Sequence, residues 1–505
     1  MPMTRRRFLR SLGTGAAAAA MSGALPRRNA RADDAPAGRP NIIFILADDL
    51  GYGDLQCLNG RSKIPTPSLN KLAAAGMTFT EAHSGSAVCT PTRYGVLTGR
   101  YAWRTRLKRG VLNGYSLPLI EANRMTVASL LKAAGYQTAI VGKWHLGLDF
   151  ARRADDPKRI DASKPLKRSP NRYGFDYSFI IPASLDFPPY VYVENDRVTQ
   201  PPTASQQRQG FPEYIRAGER SPDFKPAETL DLLLKRATDY VAERAKTKRP
   251  FFLYFPMTAP HKPVTPAKRF RRKSRLGPYG DFIVQVDWTV GQVVGAVEAA
   301  GIRRNTLIIV TSDNGSFMFR LAEDATDHLA DKTVQGYRAS NHTSNHIFRG
   351  TKADIYEGGH HVPYLASWPA RIAPGSQCDK PICLTDLMAT CAAIVGAKLP
   401  AGAGEDSFNT LPLMLGRPWA SPRAPVIHHS ANGTFAVRDG KWKLILSTGS
   451  GGREKPTGRP DSKPFRLYDM STDPRETTDL ATTHPQVVHR LTAALKTIQT
   501  AGRSR

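Results

Sequence analysis

Cys89, Arg93, Asp48, Asp49, Asp313, Asn314, Lys143, His145, His261 and Lys352 are the residues of this sequence whose types and neighbours could do chemistry together. In Cys89-Thr90-Pro91-Thr92-Arg93, Pro91 sits where the first turn of a helix tolerates it, which places Cys89 at a helix N-terminus. Backbone N–H groups there favour negative charge, and Arg93, four residues on, falls on the same face one turn away. This suits a reactive thiolate or an anion site. Asp48, Asp49, Asp313 and Asn314 offer only hard oxygen ligands, at the ends of two apolar runs expected to be neighbouring strands. Such a donor set selects calcium or magnesium over zinc, and three carboxylates in one place need a cation between them. Arg93, Lys143, His145, His261 and Lys352 are the cationic members. Singly, each reads as a surface charge or a core histidine; their joint position at strand ends points to stabilisation of an anionic transition state.

The elements that must position these groups are legible in the hydrophobic pattern. Asn41 to Ala47 leads into Asp48-Asp49, and Thr138 to Gly142 into Lys143-Trp144-His145. Phe251 to Phe255 leads, through a short proline-containing turn, to His261; Leu307 to Val310 leads to Ser312-Asp313-Asn314. Continuous apolar runs of this length predict parallel strands covered on both faces. Helical patterns lie between them, at Pro67 to Ala75, Thr126 to Ala134, Pro226 to Lys246 and Asp281 to Ala300. Strands alternating with helices predict a parallel sheet with helices on both faces, whose ligands gather beyond the carboxyl ends of the strands.

Residues 151–225 and 316–348 read as two long connections, and loops of that length in a compact domain are usually functional. Past about residue 418 the character changes. Phe435 to Ile445 predicts a hairpin turning at Asp439-Gly440, Gly449 to Lys463 a glycine-rich basic loop, and residues 484–500 a terminal helix. The expected organisation is an N-terminal segment over 1–32, a catalytic α/β domain over 33–418 and a C-terminal α+β subdomain over 419–505. Five cysteines, with no C-x-x-C pattern, indicate neither a disulfide scaffold nor a zinc site; Cys383 and Cys391 are expected as core residues flanking a helix.

In residues 1–32, Thr4-Arg5-Arg6-Arg7-Phe8-Leu9-Arg10 precedes a weakly apolar run from Leu12 to Leu25 and an Ala30-Arg31-Ala32 cleavage site. The run is too short for a bilayer of about 30 Å, and the whole resembles a twin-arginine (Tat) export signal. The expectation is a periplasmic or extracellular soluble protein that uses the Tat machinery and has no stable membrane insertion. The formal charge is +28; without the seven arginines of residues 1–32 it is about +21. Export and the acidic cluster argue against nucleic acid, and steering of a polyanionic substrate fits the charge better.

With its Leu97-Thr98-Gly99-Arg100 continuation, the Cys89 segment resembles that of the type I sulfatases of the alkaline phosphatase superfamily, of the arylsulfatase A type. The resemblance spans residues 40–481: Asn41 to Asp54, Gly142 to Gly147, Ala259 to Pro263, Thr311 to Gly315, Gly350 to Gly359 and Leu467 to Ala481 each match a family motif. Thr92 departs from it, since many members have serine there. The resemblance implies a large mixed, mostly parallel sheet flanked by helices, with a smaller C-terminal antiparallel sheet. It implies that a formylglycine-generating or sulfatase-maturating enzyme oxidises Cys89 to formylglycine, and that Asp48, Asp49, Asp313 and Asn314 hold Ca²⁺ against modified Cys89 and the sulfate. A gem-diol hydroxyl then attacks sulfur, His261 and Lys352 protonate the leaving group, His145 takes a proton to expel sulfate, and Arg93 and Lys143 hold the oxygens. The alternative on this scaffold is a phosphodiesterase or phosphonate monoester hydrolase.

The expected substrate is a sulfated carbohydrate rather than a small aryl sulfate. Asp186-Phe187-Pro188-Pro189-Tyr190 in the first connection, Asn341, His342, Asn345 and His346 in the second, and His428 and His429 beyond supply the aromatic faces and polar groups that hold sugars.

Overall fold

The computed structural model describes residues 38–419 and 423–505; the export-signal reading lies outside the described residues. The first strand, β1 (Asn41–Asp48), shows why the sheet forms. Its Ile42, Phe44 and Leu46 enter one hydrophobic core and Ile43, Ile45 and Ala47 a second, on the opposite face. A strand with period-two side chains and a core on each side must be apolar throughout, as this run is.

Ten strands among the described residues make the main sheet. In chain order they are β1, β2 (Met77–Phe79), β3 (Gln137–Lys143), β4 (Tyr177–Ile181), β5 (Val193–Glu194), β6 (Arg197–Val198), β7 (Phe251–Pro260), β8 (Thr306–Ser312), β9 (Tyr364–Ser367) and β10 (Ser376–Cys378). Across the sheet they run β10-β2-β9-β8-β1-β7-β3-β4-β5-β6. The central five, β8-β1-β7-β3-β4, are parallel, and antiparallel pairs flank them on both sides. Helices α1 (Pro67–Ala74), α2 (Cys89–Thr98), α3 (Val127–Ala133), α4 (Pro226–Ala245), α5 (Gly277–Ala299) and α6 (Leu387–Val395) cover the faces. Thr126 caps α3 by accepting the Ser129 amide at 3.1 Å. Both Cys383 and Cys391 are buried, with Cys391 inside α6 rather than beside it.

Three details differ from the sequence expectation. No turn separates Phe255 from His261: β7 runs through Pro256 to Pro260. Its register with β1 shifts where Leu46 faces Pro256 and Asp48 faces Pro260, a bulge that absorbs the missing proline N–H. The connection over 151–225 contains β4, a fifth parallel strand whose five-residue run is too short to stand out among its neighbours. The hairpin turns one residue later, at Gly440-Lys441, with Asp439 paired to Trp442 and Gly440 in the left-handed region at φ +54°.

That hairpin belongs to a four-stranded antiparallel sheet, β11 (Val426–His429), β12 (Phe435–Asp439), β13 (Trp442–Ile445) and β14 (Arg466–Asp469). The terminal helix α7 (Pro485–Thr500) places Leu491, Leu495 and Ile498 on Val437, Leu444 and Leu467. Backbone bonds from Ala87 N to His429 O (3.0 Å), Ala431 N to Ala353 O (3.0 Å) and Ile355 N to Ser450 O (2.7 Å) tie this sheet to loops of the large one. No helix among the described residues is long and apolar enough to cross a membrane.

Candidate active site

The carboxyl ends of four adjacent parallel strands deliver most of the charged groups to one place. Asp48 ends β1 and Asp49 follows it; Lys143 ends β3; His261 follows β7; Asp313 and Asn314 follow β8. Helix α2 enters from beside the sheet with Cys89 at its first position and Arg93 one turn in, both buried. The N-cap, Val88, is extended at φ −143°, and Gly99 closes the helix in the left-handed region. Thr92 gives its hydroxyl to Ser86 O at 3.0 Å, so its departure from serine keeps a local backbone bond.

Three ion pairs dominate. Lys143 Nζ lies 2.8 and 2.7 Å from the Asp48 oxygens, and Lys352 Nζ donates to Asp49 Oδ1 at 2.6 Å. Arg93 donates to Asp313 Oδ2 through Nε and Nη2 at 3.0 and 2.6 Å, with Nη2 also 3.4 Å from Asp48 Oδ1. Asn314 Nδ2 donates to Asp49 Oδ1 at 2.7 Å, and the Asp49 amide to Asp313 Oδ1 at 3.1 Å. Lys352 Nζ also stands 3.7 Å from Cys89 Sγ. His261 Nε2 is 3.6 Å from Asp49 Oδ2, while its Nδ1–H donates to Lys262 O at 2.6 Å. His145 donates from Nε2 to Leu112 O at 2.8 Å, leaving Nδ1 3.5 Å from Ser184 Oγ. Asp49 and His145 hold left-handed backbone, φ +67° and +56°, a strain that clusters at functional sites.

These contacts set the protonation states. Burial alone would raise Asp49, but Lys352, His261 and Lys143 outweigh it and hold the carboxyl below its ordinary range. Lys352 is raised: burial opposes its charge, and Asp49 with the neighbouring anions prevails. Burial and then Lys352 push His261 down to about 3, and burial with Lys143 holds His145 well below its ordinary value. Burial raises the Cys89 thiol despite two nearby lysines. The helix start therefore does not produce the reactive thiolate that the sequence alone allowed; an unmodified Cys89 is a poor nucleophile here.

The donor set fits a hard cation. Single oxygens of Asp48, Asp49 and Asp313 lie within 4.8 Å of one another, and Asp49 Oδ2 and Asn314 Oδ1 are buried with no hydrogen-bond partner. Orphaned acceptors of this kind call for a ligand, and all-oxygen chemistry specifies calcium or magnesium.

Of the residues read as sugar contacts, Asp186 is at the site: its Oδ1 is unpartnered, 3.9 Å from His261 Nδ1, and its Oδ2 pairs with Arg216. Arg216 stacks over Phe187 at 3.9 Å and Tyr214 at 5.2 Å. His342 is not free to meet a substrate, because it is buried and bonded through Nε2 to Asp54 Oδ1 at 2.8 Å. Asn345 clamps the backbone at Ser316 and Gly350, Asn341 bonds Asp327, and half-buried His346 packs near Tyr52. His428 stacks on His360 in a separate buried cluster, and His429 is buried against Ser430 and Phe435. These residues position loops. Sequence reasoning missed Ser184, Tyr214, Arg216, Lys262 and Arg453; only Lys262, beside His261, and Arg453, in the basic glycine-rich loop, carried a signal.

Comparison with known proteins agrees with this geometry. The Sulfatase family profile matches residues 40–397. The chain is 34% identical over 500 residues to an N-acetylgalactosamine-6-O-sulfatase of Bacteroides thetaiotaomicron, covering 92% of this chain and 93% of that one. It is 33% identical to human arylsulfatase A, covering 91% and 87%. A solved structure from work on the metabolism of multiple glycosaminoglycans by Bacteroides thetaiotaomicron superposes with a TM-score of 0.79 at 32% identity, over 92% of this chain and 99% of that one.

Proposed function

The chain belongs to the sulfatase family and is a sulfatase, and from that premise we propose that it hydrolyses a sulfate ester on a sulfated carbohydrate, with formylglycine at position 89 and a calcium ion. The observation that carries this reading is the setting of Cys89. It stands at a helix N-terminus, its Sγ 3.7 Å from the Lys352 ammonium that also holds Asp49, and within 4.8 Å of ligand atoms of Asp48 and His261. Oxidised and hydrated, residue 89 would supply a hydroxyl nucleophile that a thiol held protonated by burial does not. Asp48, Asp49, Asp313 and Asn314 would hold Ca²⁺, which would supply positive charge against the sulfate oxygens.

The chain's own residues account for the rest. Arg93, fixed by Asp313 and the Lys143 carbonyl, keeps residue 89 and the carboxylates in register. Lys143 and Lys352 present fixed charge where sulfate oxygens would lie, offsetting their repulsion of a nucleophile. Lys352, kept charged by Asp49, is the group placed to protonate the departing alcohol; His261 beside it is neutral, with its Nδ1–H held by Lys262 O and its Nε2 turned toward Asp49. His145, kept neutral by burial and Lys143, has one nitrogen held by Leu112 O and the other available to accept a proton. The carbohydrate reading rests on Asp186, Phe187, Tyr214 and Arg216 at the site and on the names of the relatives. It requires an enzyme that oxidises Cys89 and, on the sequence signal, export through the Tat route.

Mass spectrometry of the peptide covering residue 89 tests this reading. The expected peptide is lighter than its cysteine form by about the mass of water, and Cys89→Ala is inactive. A fully active preparation with an alkylatable thiol at position 89 overturns it.

A further inference from the structure

Each cation described so far at this site has a carboxylate of its own: Arg93 has Asp313, Lys143 has Asp48, Lys352 has Asp49 and Arg216 has Asp186. Two more cations stand at its edge without one. Lys262, the neighbour of His261, is half-buried, and its ammonium finds only the neutral Gln335 Oε1 at 3.3 Å and the faces of Tyr214 and Phe317, 4.7 and 5.6 Å away. Arg453 reaches in from the basic loop of the C-terminal part, and its Nη1 donates to Phe317 O at 3.5 Å. Among the described residues, neither has a carboxylate within ion-pairing distance.

A cation removed from water is unfavourable unless paired, and ring faces compensate it only in part. The neighbourhood worsens the imbalance. After burial, Arg453 and Lys352 are the largest influences on Lys262, and together they bring it down to about 8 against the pull of Asp49 and Asp186. The protein therefore holds two uncompensated cations at the edge of the site, Lys262 next to His261 in the chain and Arg453 against Phe317, near enough to depress Lys262.

We propose that Lys262 and Arg453 form a second anion-binding subsite, which takes a further sulfate or a carboxylate carried by the same glycan as the scissile sulfate. This rests on the carbohydrate reading above. An anion seated there completes both cations, as the four carboxylates complete the others. Tyr214 and Phe317, already against Lys262, exclude water from the contact and strengthen it. The subsite makes a sugar with a second negative group a better substrate than one without, and draws a loop of the C-terminal part into selectivity.

The test uses matured, calcium-loaded full-length enzyme and three probes: a nitrophenyl sulfate, N-acetylgalactosamine 6-sulfate, and a chondroitin 6-sulfate disaccharide that adds a uronate carboxylate. A 4,6-disulfated monosaccharide distinguishes a second sulfate from a carboxylate. Wild type is expected to prefer the doubly anionic sugars. Lys262→Met and Arg453→Met are each expected to lower the kcat/KM ratio of doubly to singly anionic sugar roughly ten- to a hundredfold, mainly through KM, as loss of a charged hydrogen bond does. Lys262→Arg should restore part of that ratio, which a merely structural role would not. An unchanged ratio, or equal losses on all three probes, overturns the subsite. Wild-type turnover of nitrophenyl sulfate with no preference among sugars refutes the subsite and leaves the sulfatase assignment intact. Failure on every saccharide refutes the carbohydrate reading itself.

Discussion

Two buried groups of charges lie in this molecule, one at the carboxyl ends of the parallel strands and one at the seam between the two sheets. In the second, Lys443 on β13 is wholly buried and stands 2.9 Å from Glu357 Oε1, 2.8 Å from Glu476 Oε1 and 3.0 Å from His360 Nε2. His361 bonds Glu357 Oε2 at 2.8 Å and Thr80 O at 2.7 Å, and His83, His360 and His428 pack against one another. Both groups bring metal-capable atoms within 4.8 Å of one another, so proximity does not separate them. What separates them is the remainder. At the seam the ions close on each other: Glu476 Oε1 lacks a well-directed hydrogen bond but lies 2.8 Å from the Lys443 ammonium, and the ring nitrogens left over, His83 Nε2 and His428 Nε2, belong to imidazoles that burial keeps neutral. At the strand ends the leftovers are a carboxylate oxygen of Asp49 and an amide oxygen of Asn314, both unable to donate. A buried ionic cluster whose charges close on one another holds elements together; one whose leftovers are all acceptors is suited to take up a cation.

The largest test of that contrast is Asp49→Asn. Asparagine tolerates the left-handed backbone and still accepts from Lys352, whose buried ammonium keeps Asp48 and Asp313 nearby, so in calcium-free buffer stability should fall by about 1–3 kcal/mol, less than at the seam. Activity should fall about 10³-fold or more, because the site loses a ligand of the cation whose positive charge would face the transition state. Steady-state kinetics and a denaturant melt on one preparation check both halves; a large stability loss would make the catalytic cluster structural too. Lys443→Met should do the reverse. It leaves Glu357 and Glu476 buried without their cation, at a cost of about 3–5 kcal/mol, while kcat/KM of the folded fraction changes little. Adding Glu357→Gln should recover part of the stability, and loss of activity without loss of stability would contradict the assignment.

Calcium gives a smaller effect, readable without turnover. At about a hundredfold excess over its dissociation constant it should stabilise wild type by about 2.7 kcal/mol. Lys443→Met should gain as much and Asp49→Asn far less. Equal gains in all three would place the ion elsewhere.

The sequence made one of the two clusters readable. Asp48-Asp49 and Asp313-Asn314 follow apolar runs, and parallel strands in register must bring such ends together. Lys443 carried no such signal, because an alternating hairpin strand normally turns its polar residues to water. Its partner Glu357 is 86 residues away, and only packing of the small sheet on the large one buries both. For the same reason His342 and Asn345, taken from sequence as sugar contacts, proved to hold Asp54, Ser316 and Gly350 in place. Sequence shows which side chains can do chemistry; which are already engaged depends on long-range packing.

The smallest prediction concerns the backbone that carries Lys352. Ala353 is buried at φ +84°, where an L-residue with a Cβ is strained. Nothing in its own side chain favours that conformation. The backbone imposes it, since Ala353 N donates to Ala87 O at 2.8 Å and Ala353 O accepts from Ala431 N at 3.0 Å. These bonds join the Lys352 loop to the segment before Cys89 and to the C-terminal part. Left-handed geometry costs a non-glycine residue about 1–2 kcal/mol, whereas glycine costs about 0.5–1 kcal/mol through the freedom it adds to the unfolded chain. The first term is the larger, so Ala353→Gly should stabilise the protein by up to about 1 kcal/mol, opposite in sign to an ordinary buried Ala→Gly change. If the strain also fixes Lys352 against Asp49, kcat should fall modestly as stability rises. Destabilisation by glycine would show that the two backbone bonds, and not the side chain at 353, already relieve the strain.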